Sequence, residues 1–283
     1  MKTGKRTYLK IGALSMAVLL LIFIVLVGMI AIPQLREKGK RYVEPTEFKN
    51  QGQVQLIAHR GLSGMEMENT LPAFEAAGKK EYYGIETDVR VTKDGEFILV
   101  HDEDLSRIIA GLDMAIANST YAELRAIRFS DVYGGKSEKN LQLPSVEEYI
   151  EICKKYDKQA IVELKGDMTE TQVGALATKI EACGWLERTT FISFSKENLL
   201  AARKASPNTE LQYVVEDFTE EDEAFMTEHK IHANLCWKEV TRARVKRLHK
   251  AGLKVNCWTV DGVACATLLS DYGVDMITTN ILV

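Results

Sequence analysis

Gly84-Ile85-Glu86-Thr87-Asp88-Val89-Arg90-Val91, then Thr92-Lys93-Asp94-Gly95, then Glu96-Phe97-Ile98-Leu99-Val100-His101-Asp102: the fold is read outward from this stretch. Its two flanks are apolar, β-branched runs that read as strands 84–91 and 96–101. The turn Lys93-Asp94-Gly95 leaves too little chain for a crossover, because parallel neighbours need a dozen or more connecting residues. The two runs are therefore expected to form an antiparallel hairpin or irregular pair. Further strand candidates are 54–59, 159–165, 189–195, 210–215, 231–235, 254–260 and 276–279. Helical patterns fall at 71–80, 145–156, 170–183, 196–205, 219–229, 240–251 and 262–270. Such alternation implies βαβ units and a parallel sheet. The expected fold is an α/β barrel of the TIM (β/α)8 type, with the long segment 103–143 as an insertion over one rim. Nine strand signals exceed eight staves, and periodicity alone also allows an open doubly wound sheet. No GxGxxG or GxxxxGK[ST] sequence supports a nucleotide-binding version of that sheet.

A barrel of about 250 residues would account for most of the 283. With 46% hydrophobic and 27% charged residues, the composition excludes whole-chain disorder and collagen-like repeats. The formal charge of -4 is unevenly distributed. Residues 1–41 hold eight basic residues and one acid, so residues 42–283 are strongly acidic. Such a surface is unsuited to nucleic acid, whose recognition relies on basic patches. Five cysteines (Cys153, Cys183, Cys236, Cys257, Cys265) show no CxxC or Cys/His ligand spacing, which gives zinc no support.

Residues 11–32 carry no charge and stop before Pro33. As a helix they would span roughly 33 Å, the thickness of a bilayer core. The run exceeds the apolar core of a signal peptide, and no clear A-x-A site follows it. The expected organisation is a basic tail (1–10), a transmembrane helix (11–32), a linker (33–53) and the barrel domain (54–283). Basic residues flank both ends of the apolar run, so the positive-inside rule is indecisive. An extracytoplasmic barrel anchored in the cell membrane is the expected placement.

Glu86 and Asp88 project from one strand face, since strand side chains alternate. Two carboxylates inside an apolar strand need a cation or donors to neutralise them, and hard divalent ions favour such oxygens. Ile57-Ala58-His59-Arg60-Gly61 and Ile98-Leu99-Val100-His101-Asp102 each end an apolar run in a histidine, and Ile161-Val162-Glu163-Leu164-Lys165 adds an acid and a base on one face. Groups delivered from several strand ends suit the C-terminal face of a barrel. Together they sum to phosphodiester chemistry: charge neutralisation at the nonbridging oxygens, an acid for the leaving alkoxide and a base for the attacking hydroxyl. His59 and His101 can divide the two proton-transfer roles. His229, His232 and His249 lie away from these motifs, and the basic run Arg242, Arg244, Lys246, Arg247 reads as a solvated helix face.

His59-Arg60-Gly61, Glu68-Asn69-Thr70, Glu86-Thr87-Asp88-Val89, Thr92-Lys93-Asp94-Gly95, His101-Asp102, Leu143-Pro144, Glu163-Leu164-Lys165 and Trp258-Thr259-Val260 resemble, in order, the motifs of the glycerophosphodiester phosphodiesterases. The resemblance covers about 54–280. It implies His59 and His101 as general acid and base, and Glu86, Asp88 and Glu163 as ligands of Ca²⁺ or Mg²⁺. It further implies Arg60 and Lys165 on the phosphate and Trp258 on the glycerol side. The implied reaction begins with attack by the glycerol's free hydroxyl on phosphorus. Water then opens the cyclic intermediate, giving glycerol 3-phosphate and the head-group alcohol. Two departures stand out. Met67 occupies the place of a usual proline before Glu-Asn-Thr, and Thr279-Asn280-Ile281-Leu282 replaces Thr-Asp-x-Pro. Glu68 and Asp102 are candidate supporting groups. The expected partners are a small glycerophosphodiester and the bilayer, with intact phospholipids as the rival substrate and a non-catalytic binding module as the rival role.

Overall fold

The computed structural model describes residues 43–49, 54–131 and 140–283. The expected transmembrane helix lies outside these residues. Among the described residues, no helix is long and apolar enough to cross a membrane.

Eight parallel strands close into a barrel: β1 (Gln55–Ala58), β2 (Gly84–Val91), β4 (Gln159–Leu164), β5 (Thr189–Ser193), β6 (Glu210–Val215), β7 (His232–Cys236), β8 (Val255–Trp258) and β9 (Met276–Thr279). Closure comes from β9 returning to β1, with Gln55 opposite Met276 and Ala58 opposite Thr279, while β1 also pairs with β2. The remaining strand, β3 (Phe97–Leu99), runs antiparallel to β2, with Val89 opposite Leu99 and Val91 opposite Phe97. The reason for a ninth strand is geometric. β1 is only four residues long and leaves the edge of β2 beyond Ile85, and β3 pairs with that same β2 at its far end. The Thr92–Gly95 turn is closed by the Thr92 amide donating to the Glu96 carbonyl, the Gly95 amide donating to the Thr92 carbonyl and the Glu96 amide donating to the Thr92 hydroxyl, with Gly95 in the left-handed region at φ +81°.

The helices between staves are α1 (Leu71–Gly78), α3 (Val146–Lys155), α4 (Glu170–Ala182), α5 (Lys196–Ala205), α6 (Glu220–His229), α7 (Arg242–Lys250) and α8 (Val263–Tyr272). Ser145 with Glu148, Thr169 with Gln172 and Thr219 with Asp222 form reciprocal capping boxes that start α3, α4 and α6, each satisfying amides that the first helical turn leaves unpaired. The basic helix α7 is partly neutralised by Arg244–Glu239 and Arg247–Glu223. Ile57, Ile161, Ile192, Val214 and Met276 pack together as an apolar cluster, with Tyr83 and Trp258 against them. α3 is fastened to the wall by Tyr149, whose buried hydroxyl donates to the Ile85 carbonyl and accepts from the Ile161 amide.

The insertion has its own core. Leu105, Ile108, Ile116, Leu124, Phe129, Leu141 and Leu143 gather with Met67, Ile98 and Val100, seating the segment on β3 and on the loop after β1. Its short helix α2 (Tyr121–Ala126) begins at a Thr120–Glu123 capping box. Met67, the first departure from the family pattern, is fully buried in this cluster.

Residues 43–49 run beside the C-terminal residues. Val43 donates to the Gly64 carbonyl at 2.9 Å, Thr46 to Ile281 at 3.0 Å and Phe48 to Val283 at 2.8 Å. Gly64 and Ile281 both follow the C-terminal ends of their strands, so the described chain begins on that rim of the barrel.

Gly78 gives a test of packing between α1 and α3. Alanine normally stabilises a helix over glycine by about 1 kcal/mol. Here an added Cβ would lie 2.7 Å from Cγ and 2.8 Å from Cε2 of Tyr156, whose ring is pinned by its hydroxyl donating to Glu75. Overpacking costs about 1–3 kcal/mol and outweighs the propensity gain. Gly78→Ala is therefore expected to lower the urea midpoint, and a raised midpoint would contradict this packing.

Candidate active site

The register across β2 and β4 sets Asp88 directly opposite Glu163, while Glu86 lies two residues earlier on the same face as Asp88. One oxygen from each of the three carboxylates lies within 4.8 Å of the others, and the three side chains are buried. Burial and the neighbouring Asp88 charge push the Glu86 carboxyl well above its usual range. Burial, again with Asp88, raises Glu163 to about 7, against the opposing pull of Lys165. Burial would raise Asp88 too, but Arg60 and Lys165 together hold it below the usual carboxylate range. Glu86 Oε1 is buried without a hydrogen-bond partner, and Asp88 Oδ1 makes no hydrogen bond and has the Lys165 ammonium at 3.3 Å. Unsatisfied carboxylate oxygens at this depth are costly, and three hard oxygen donors of this kind fit a divalent cation of the Ca²⁺ or Mg²⁺ class.

Two cations flank the carboxylates. Arg60 follows β1 at φ +54°, a conformation disfavoured for a side chain of this size. It is held there by its own amide, which donates to Glu86 Oε2 at 2.7 Å, and by its guanidinium on Glu68 at 2.8 Å and beside Asp88 at 3.3 Å. Gly61 comes next at φ +77°, where any Cβ would strike the backbone of Ala73, so α1 packs directly on this turn. Lys165, just past β4, places its ammonium 2.8 Å from Glu163 and 3.3 Å from Asp88. Asn69 completes the cradle: its amide donates to Asp88 Oδ2 at 2.7 Å, and its oxygen accepts from Thr87 and from the Asp88 backbone.

The two histidines stand just beyond the ends of β1 and β3 and are partly exposed. His101 Nδ1 meets Asp102 Oδ1 at 2.7 Å. Burial alone would raise the Asp102 carboxyl, but hydrogen bonds from His101 and Arg107 bring it to about 2. Arg107, from the insertion, also makes a two-pronged contact with Glu68, at 2.9 and 2.7 Å. A chain of ionic contacts thus runs from His101 through Asp102, Arg107 and Glu68 to Arg60. His59 Nδ1 lies 2.8 Å from the amide oxygen of Asn280, at the end of β9.

A cleft of ≈ 520 Å³ opens beside these groups, lined by Arg90, Glu163, Lys165, Phe194, Lys196 and Tyr213 among others. Arg90 is anchored by Nε on the His101 carbonyl at 2.8 Å. The Phe194 ring is exposed, meets Trp258 edge-on at 5.5 Å and lies 5.8 Å from the Lys165 ammonium. Trp258 itself donates to the Asn234 carbonyl.

Of the residues singled out in the sequence, Arg60, Glu86, Asp88, Glu163 and Lys165 are brought into one cluster by these distances. His101 bears on it through Asp102, Arg107 and Glu68, His59 through its neighbour Arg60, and Trp258 through Phe194. Asn69, Arg90, Arg107, Phe194, Asp261 and Asn280 were given no role in the sequence. The replacement of Thr-Asp by Thr279-Asn280 was the one visible signal for the last. His229 packs on the Phe225 ring, His232 accepts from the Lys254 amide and His249 pairs with Asp275.

Residues 59–282 match the Glycerophosphoryl diester phosphodiesterase family. The chain is similar to a glycerophosphodiester phosphodiesterase of Bacillus subtilis, 28% identical over 245 residues covering 79% of this chain and 82% of that protein. Among solved structures, it resembles a phosphodiesterase of Oleispira antarctica in complex with the product sn-glycerol-3-phosphate, at 25% identity and TM-score 0.72, covering 82% of this chain and 94% of that one. A chain from Silicibacter pomeroyi shares the fold at 24% identity and TM-score 0.72, covering 86% and 92%.

Proposed function

The chain belongs to the glycerophosphoryl diester phosphodiesterase family and is a phosphoric diester hydrolase, and from that premise we propose that it cleaves glycerophosphodiesters to glycerol 3-phosphate and an alcohol by metal-assisted acid–base catalysis. The observation that carries this reading is the convergence of Glu86, Asp88 and Glu163 within 4.8 Å, beside Arg60 and Lys165. The product held by the similar Oleispira antarctica enzyme supports the choice of substrate.

Glu86, Asp88 and Glu163 would hold the divalent cation, which when bound supplies positive charge to the nonbridging phosphate oxygens. Three carboxylates against two cations leave one negative charge that such an ion offsets. Arg60 and Lys165 share their charge between these carboxylates and the phosphate, with Arg60 fixed by Glu68 so that its planar fork is preorganised. The histidines divide the proton transfers according to their partners. His59, backed by a neutral amide, takes the proton from the attacking glycerol hydroxyl. His101, oriented by its hydrogen bond with the Asp102 carboxylate, gives a proton to the departing alkoxide. In the second step His101 accepts the proton of the incoming water and His59 returns one to the glycerol oxygen, restoring both. Phe194, with Trp258 behind it, offers the apolar wall against which the glycerol carbons rest.

The anchor belongs to the same proposal: 11–32 retained in the cell membrane, with the barrel outside the cytoplasm. Deacylated diesters are the preferred substrate. Among the described residues of the insertion, the apolar side chains are turned into its own cluster, with Ile109 and Met114 packed against it, and offer no sustained face to acyl chains. Acidic residues of the barrel domain also disfavour anionic lipid surfaces. A second reading, cleavage of intact phospholipids, draws on Val43 meeting Gly64 at the rim of the barrel where the candidate site lies. Comparing kcat/KM for one head group as the deacylated diester and as the intact lipid in mixed micelles separates the two. The expected result is far better cleavage of the deacylated form, and equal or greater efficiency on the intact lipid would overturn it.

A further inference from the structure

We propose that Asn280 positions His59, its side-chain oxygen fixing the imidazole as the tautomer with hydrogen on Nδ1, and that Asp261 holds the Asn280 amide in the orientation this requires. The role rests on the reading of His59 as a proton-transfer group.

The geometry leaves the amide one orientation. Asn280 Nδ2 donates to Asp261 Oδ2 at 2.7 Å, and the Asn280 backbone amide donates to the other oxygen, Oδ1, at 2.8 Å. Turning the amide over would set two oxygens 2.7 Å apart, one of them on a carboxylate. A third contact agrees: the Ser63 hydroxyl lies 2.8 Å from Asn280 Oδ1 and donates to it. With orientation assigned by this network, Oδ1 can only accept, so His59 Nδ1 at 2.8 Å must carry the hydrogen. In a neutral imidazole the lone pair then resides on Nε2.

The rest of the turn keeps the amide in place. Asn280 is buried, and its carbonyl accepts from the Gly64 amide at 2.8 Å. A Cβ on Gly64 would lie 2.7 Å from that carbonyl, so the loop after β1 and the end of β9 meet backbone to backbone. Thr279 Oγ1 donates to Asp261 at 3.1 Å and accepts from the amides of Ile281 and Leu282, closing the last turn without the proline of the family pattern. Asn280 thus stands to His59 as Asp102 stands to His101, with an amide in place of a carboxylate.

The test uses the full-length protein. Asn280→Ala is expected to lower kcat by about 10–100-fold, the usual cost of losing a partner that orients a functional imidazole, with KM unchanged. In ¹⁵N NMR, His59 of the wild type should show a protonated Nδ1 and an unprotonated Nε2, and Asn280→Ala should show a mixture of tautomers. Asn280→Asp alone faces two carboxylates at the Asp261 contact and should also be impaired. The exchange Asn280→Asp with Asp261→Asn restores an acceptor for His59 and a donor between the two residues, and should recover kcat. Wild-type kcat with a single Nδ1–H tautomer in Asn280→Ala would overturn the proposal. So would a wild-type His59 protonated on Nε2 alone, which needs no variant to fold. If the protein turned over no glycerophosphodiester, the functional reading would fail, while the wild-type tautomer would still decide the positioning role.

Discussion

His101→Ala and His59→Ala each lower kcat by about 10²–10⁴-fold, the span of a lost general acid or base, while circular dichroism and melting temperature stay near those of the wild type. The fold survives because both rings are partly exposed and neither belongs to the apolar clusters. The leaving group separates the two losses. A phenolate-type leaving group departs without protonation, so a diester carrying one should recover much of the activity of His101→Ala and little of that of His59→Ala. Undiminished turnover by either variant would remove that histidine from the mechanism, and the opposite pattern of recovery would exchange the roles.

Chelation should abolish activity, and Ca²⁺ or Mg²⁺ should restore it, because removing the ion leaves three buried carboxylates with Arg60 and Lys165 as the cations beside them. Glu86→Gln is expected to weaken metal binding in calorimetry as well as activity, since Glu86 contributes an oxygen with no other partner. The affinity should also depend on pH with a defined sign. Glu163 in the metal-free protein titrates near 7, above the ordinary value, so it is protonated at lower pH and must lose that proton to bind a cation. Affinity should therefore rise as pH increases through about 7, with proton release on binding. Full activity in exhaustively metal-free protein would sink the assignment, and binding independent of pH between 5 and 8 would remove Glu163 from the ligand set.

How much of this was legible beforehand follows from the range of the interactions. The nine strands and seven of the helices were readable because each rests on local periodicity and caps. The hairpin was readable because Lys93-Asp94-Gly95 permits no crossover. The apolar runs 54–59 and 96–101 overshoot their strands: the apolar sequence continues to His59 and His101, but the ladder does not. Helix α2 escaped notice because six residues make too short a window for a period, even with Thr120 and Glu123 as its start. In the site, Glu86 with Asp88 and Glu163 with Lys165 declared themselves because a strand puts alternate residues on one face. Arg107 and Asn280 did not. Arg107 reaches Glu68 across 39 residues and Asn280 reaches His59 across 221, and no local pattern encodes such contacts. The departure at Asn280 was visible as a substitution. Its meaning appears only where β9 closes on β1.

The most direct test of the account is to identify the products by ³¹P NMR when the full-length protein acts on a deacylated diester such as glycerophosphoethanolamine, with and without divalent cation. The expected products are sn-glycerol 3-phosphate and the free alcohol, formed only when the cation is present. Formation of glycerol and a phosphorylated head group, or release of glycerol 3-phosphate undiminished in metal-free buffer, would contradict it.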